Sequence, residues 1–194
     1  MRLFSTARWL RFGGGGAKER PTTPPARGAK APARDSGWTP LHAAAEQSDS
    51  ERIAMLLFGG ANANARDGQG TAPLHIAARH DDLEGAKVLL SRGADINARD
   101  NDGMTPLQWA VREGALDVVS LLVARGAEVN VKNSLGWSPL HEAVGKCNVD
   151  MIALLLASGA DRHLEDAHGN TPLTVAASLG RADIGALLIR CIRE

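Results

Sequence analysis

Between Asp100 and Lys132 the apolar residues fall into two short helical patterns separated by a glycine. Leu107, Ala110 and Val111 recur at intervals of three and four, on one face of a helix that opens at Thr105-Pro106 and closes at Gly114. The threonine hydroxyl can accept a backbone N–H that lacks an intrahelical partner. Proline suits the first helical position because its missing N–H is no loss there. A second helix is predicted over Leu116 to Ala124, where Val118, Val119, Leu121, Leu122 and Val123 ring most of the circumference. Apolar on most sides, it must be sandwiched. Gly126-Ala127 ends it, and Glu128-Val129-Asn130 leads into an extended turn. Two helices this short do not hold alone in water, so neighbours have to supply the missing contacts.

The neighbours are copies. Pro40, Pro73, Pro106, Pro139 and Pro172 stand 33 residues apart, each followed by leucine, and Gly37, Gly70, Gly103, Gly136 and Gly169 keep the same interval. Gly-Ala pairs recur in step at Gly60, Gly93, Gly126 and Gly159. Five copies follow without insertion, at 34–66, 67–99, 100–132, 133–165 and 166–194. A fixed period of this length predicts a linear stack. Some copies depart from the pattern. Ala72 stands where the others have Thr39, Thr105, Ser138 and Thr171, a lost cap that costs about 1 kcal/mol. Ser48, Asp81 and Cys147 replace the inter-helix glycine kept at Gly114 and Gly180, and Gln108 and Thr174 replace the histidine of His42, His75 and His141. Those histidines are expected to bond the cap hydroxyl and the loop backbone, tying copies together. One layer apart, at about 10 Å, they are too far from one another to share a metal at about 2 Å per ligand.

Thr39-Pro40-Leu41-His42, the Pro-Leu-His runs at 73–75 and 139–141, and Gly93-Ala94-Asp95-Ile96-Asn97 make residues 34–194 resemble the ankyrin repeat. The resemblance implies an all-α repeat solenoid of stacked helix-turn-helix units with β-hairpin fingers, acting as a non-enzymatic protein-interaction module through its concave side. Carried over position by position, the finger tips hold Trp38, Met104 and Trp137, and the outer ends of the first helices hold Arg79-His80, Arg112-Glu113 and Lys146. Large apolar and cationic side chains in one stripe suit a binding hot spot. An acidic segment of a partner protein is the expected occupant. A regulatory inhibitor that covers a partner enzyme or transcription factor is the alternative. The resemblance also marks Asn97 and Asn130 as candidates for asparaginyl hydroxylation, against the plainer reading of an asparagine satisfying its own turn.

Charge changes the picture at one end. Lysine plus arginine equals aspartate plus glutamate at 22 each, yet residues 1–34 carry eight basic side chains against Glu19 alone. The rest carries 14 bases and 21 acids, which disfavours nucleic-acid binding by the repeat body. Residues 1–33, with Gly13–Gly16 and four prolines, are expected to form a disordered basic arm. A cytoplasmic or nuclear location is expected, with mitochondrial targeting through the Arg-rich Met1–Phe12 as the alternative. Gly13 to Lys18 lacks the Gly-Lys-Ser/Thr ending of a phosphate loop. Cys147 and Cys191 cannot make a disulfide framework. Apolar runs such as Met151 to Ala157 fall short of the roughly 20 residues of a membrane span. No metal, cofactor or small-molecule substrate is expected, and a monomer is. The apolar end of the last copy, Leu187 to Ile192, is expected to fray or to be covered by another surface.

Overall fold

The computed structural model describes residues 37–190, which form ten helices in five pairs. The arm and the last four residues lie outside the described residues, and so do the expectations of disorder, targeting and fraying that fall on them. The first helices are α1 (Pro40–Glu46), α3 (Pro73–Arg79), α5 (Pro106–Glu113), α7 (Pro139–Gly145) and α9 (Pro172–Ser178). The second are α2 (Ser50–Phe58), α4 (Leu83–Ser91), α6 (Leu116–Ala124), α8 (Val149–Ala157) and α10 (Ala182–Arg190). Each first helix packs on the first helix of the next pair as well as on its own second helix, so the molecule is the all-α repeat solenoid that the period predicts. Leu41, Leu74, Leu107 and Leu140 are at most 1% exposed, whereas Leu173, at the same repeat position, is 38% exposed. The difference is the neighbour: among the described residues no sixth pair covers α9.

Each first helix begins as its sequence dictates. Thr39, Thr105, Ser138 and Thr171 sit in extended backbone with proline next, and their hydroxyls accept the N–H of His42, Gln108, His141 and Thr174. Ala72 has no side-chain oxygen to offer, so the His75 N–H turns to the Ala72 carbonyl at 2.9 Å. The third helical side chain also works in two directions. His42 Nε2–H donates to the Thr71 carbonyl (2.9 Å), His75 to Met104 (3.1 Å) and His141 to Asn170 (3.0 Å), each in the following copy. Their Nδ1 atoms accept the N–H of Thr39, Ala72 and Ser138. Gln108 repeats both contacts with an amide, donating to the Trp137 carbonyl at 2.7 Å and accepting from Thr105 N–H at 3.2 Å. All four side chains are buried.

The finger residues form tight turns, and no strand occurs among the described residues. Asp67 Oδ1 accepts the N–H of Gln69 and Thr71, Asp100 Oδ1 those of Asp102 and Met104, and Asp166 Oδ1 those of His168 and Asn170. Asn133 does the same for Leu135 and Trp137. Within a finger one backbone bond closes the turn, as Asp100 N–H to the Met104 carbonyl at 3.0 Å, and consecutive fingers are joined by another, as Ser134 N–H to the Asp102 carbonyl at 2.8 Å. Gly136 shows how close the fingers lie: its φ is +77°, and a Cβ there would collide with the backbone nitrogen of Ala167.

The second helices are capped by Asp49, Asp82 and Asn148, but α6 follows Ala115, which has no capping oxygen. Asp81 of the preceding copy replaces it, with Oδ1 accepting Val118 N–H at 3.1 Å. Among the described residues Asp81 is also one of three non-glycine residues at positive φ, with Ser48 (50°) and Cys147 (56°), where Gly114 has 78°. Left-handed backbone costs a side-chain-bearing residue about 1–2 kcal/mol.

Two predictions follow from these contacts. Burial holds the imidazole of His75 below the ordinary 6.5, against the Met104 carbonyl and Asp100, with Arg66 adding to the depression. Burial does the same at His141, against the Asn170 carbonyl, Asp166 and Glu142, with Lys132 on the depressing side. A depressed histidine binds its proton more readily in the unfolded chain, so its contribution is whole above 6.5 and is lost as pH falls below that value. The urea midpoint should drop between about pH 7 and pH 5, and His75→Gln with His141→Gln, which keep both bonds as Gln108 does, should flatten that slope. Separately, Cys147→Gly should stabilise by about 1 kcal/mol in urea unfolding, while Asp81→Gly should give no such gain because the α6 cap leaves with it.

Candidate protein-binding groove

Fingers and first helices of the first three copies enclose a shallow groove of about 300 Å³. Asp67, Gln69, Asp100, Asn101 and Asp102 line it from the fingers, and Ile76, Arg79 and Trp109 from the helices, with Trp38 and Thr71 at the approaches to α1 and α3. Trp109 is held in place at several points. Its Nε1–H donates to Asp100 Oδ2 at 2.8 Å, its ring meets His75 edge-on at 5.7 Å, and the Arg79 guanidinium lies 5.5 Å from its centroid. Since Asp100 Oδ1 closes the finger turn, one carboxylate fixes both finger and indole.

The structure sorts the stripe expected from the sequence. Trp38 is half-buried over His42, with ring centroids 5.2 Å apart, and Trp137 stacks on His141 at 6.3 Å. Both rings therefore pack on the histidine that ties their copy to the next while keeping an edge in solvent. Met104 is only 2% exposed and does not belong to the stripe. Its N–H goes to Asp100 and its carbonyl to His75, and that backbone setting leaves the side chain inside.

The cations do not stand free either. Arg79 pairs with Glu46, and His80 Nε2 lies 3.5 Å from the same carboxylate. Arg112 Nη2 is 2.9 Å from Glu142 Oε1, whose side chain is buried. Lys146 and Glu113 are exposed. The expectation of a basic stripe suited to an acidic segment is thus corrected: two of its three cations are neutralised within the stack. Sequence reasoning missed the finger residues Asp67, Gln69, Asn101 and Asp102. The signal was present, because aspartate recurs at 67, 100 and 166 with asparagine at 133.

Asn97 and Asn130 lie outside the groove and join successive copies. Asn97 Oδ1 accepts Glu128 N–H at 3.0 Å, and its amide lies 3.3 Å from Glu128 Oε1. Asn130 accepts from Asp161 N–H and donates to the Gly159 carbonyl, as Asn64 does with Asp95 and Gly93. These asparagines bridge copies rather than closing their own turns.

One stability test isolates the helix-end pairing. Arg112→Ala leaves the buried Glu142 carboxylate without its cation and should cost on the order of 2 kcal/mol in urea unfolding. Adding Glu142→Ala should return part of that loss.

The comparisons agree with this architecture. The family model of ankyrin repeats matches in three copies, over residues 26–100, 56–133 and 126–193. A search of curated proteins gave no match. Among the described residues no helix is long and apolar enough to cross a membrane. The repeating caps, the side-chain bridges between copies and the family match together show that the chain belongs to the ankyrin repeat family, whose members are generally protein–protein interaction modules and typically not enzymes.

Proposed function

We propose that the chain is an adaptor or scaffold that holds a partner protein on the concave face made by its fingers and first helices. One observation carries this reading. Side chains that recur from copy to copy bond one layer to the next, whereas one finger position that borders the groove at Gln69 and Asp102 changes with each copy, to Leu135 and His168 further along. Identical positions are demanded by stacking; varying ones are left for recognition. Tryptophan is among the residue types that dominate protein interfaces, and Trp38 and Trp109 both border the groove. A shallow surface of this kind suits a polypeptide better than a small molecule, which is normally taken into a deeper, more enclosing cleft.

The test is comparative capture from a cell extract, with immobilised wild-type chain beside a Gln69→Ala, Trp109→Ala double variant. The variant should lose the proteins that the wild type retains while keeping its helical circular-dichroism signal. Equal capture by both would move the binding surface to the second-helix face.

A further inference from the structure

We propose that the groove bordered by Trp38, Trp109, Asp67, Asp100 and Asp102 takes a lysine- and arginine-rich segment of the partner protein; this rests on the concave-face reading above. The lining holds three carboxylates and one cation, Arg79, which is already paired with Glu46. An acidic segment would bring further carboxylates into this enclosure and find no unpaired cation on its walls. A basic side chain meets the opposite situation. Asp67 and Asp100 are held by two backbone N–H groups each, so their negative charge is positioned before any partner arrives. Asp102 is exposed at the finger tip, where an approaching chain meets it early.

The indoles add a second preference of the same sign. An aromatic face attracts a cation through its quadrupole, and the Arg79 guanidinium already lies over the Trp109 ring, 5.5 Å from its centroid. From residue 35 onward the chain carries 21 acids against 14 bases, so the charge of the repeat body itself is also of the sign that suits a basic partner. Such attraction guides encounter and weakens with salt as the Debye length shortens.

Asp67 can be neutralised without disturbing its turn, because Asn133 makes the same two backbone bonds in the fourth copy. The experiment uses the full chain and two fluorescein-labelled peptides of equal length, one alternating Lys and Arg with Ala, the other carrying Glu at every charged position. Fluorescence anisotropy should show binding of the basic peptide alone, weakening several-fold between about 50 mM and 300 mM salt. Asp67→Asn with Asp102→Asn should weaken it roughly tenfold, with an unchanged thermal melt.

Absence of binding by the basic peptide overturns the proposal, and so does undiminished binding to the double variant. Binding of the acidic peptide alone, lost in Trp109→Ala, overturns the charge assignment but leaves the concave-face reading standing. Equal binding of the basic peptide to wild type, the aspartate variant and Trp109→Ala would place the contact elsewhere and overturn both.

Discussion

The stack depends on one side chain in each joint, placed at the third position of the first helix. It accepts from the backbone that starts its own helix and donates to a finger carbonyl of the next copy. One side chain therefore serves both the start of its own helix and the joint to the next unit. His42, His75, Gln108 and His141 all do this in buried surroundings, where an unmade bond is costly. Thr174 has no following finger among the described residues and bonds only back to Thr171. Helices of seven to nine residues persist because this joint and the leucine layer beneath it replace the length they lack.

Much of this was legible in residue order. Thr-Pro marks where a helix must start, Gly114 where it must stop, and the apolar ring of 116–124 which helix must be sandwiched; the predicted and observed bounds of α6 coincide. The bonding role of the motif histidines was legible too, since a buried imidazole in a capping position needs partners for both nitrogens. Projecting fingers were foreseen, and the detail beyond the sequence is that each turn is locked by an aspartate or asparagine oxygen. Asp81 was read only as a replacement for the inter-helix glycine, and its contact with Val118 spans 37 residues, beyond any local signal.

The candidate groove was harder to read, for a reason rooted in periodicity. Glu46 and Arg79 hold the same place in successive copies, so they are spatial neighbours although 33 residues apart. Counting charges copy by copy overlooks such pairs. Arg112 finds Glu142 across the next joint in the same manner. Once these pairs are made, the visible cations shrink and the finger carboxylates dominate. Trp38 and Trp137 were anticipated at the surface, and both also pack on a joint histidine, so one ring serves cohesion and contact together.

The oxygen that Asp81 lends to α6 makes the second and third copies a matched pair. Ala115 supplies no cap of its own, and the residues equivalent to Asp81 elsewhere are Ser48, Gly114, Cys147 and Gly180, none of which has a carboxylate. Copies that look interchangeable by sequence are therefore not interchangeable bricks. Shuffled behind any other member of the array, the third would lose the cap of its second helix, at a cost of about 1 kcal/mol.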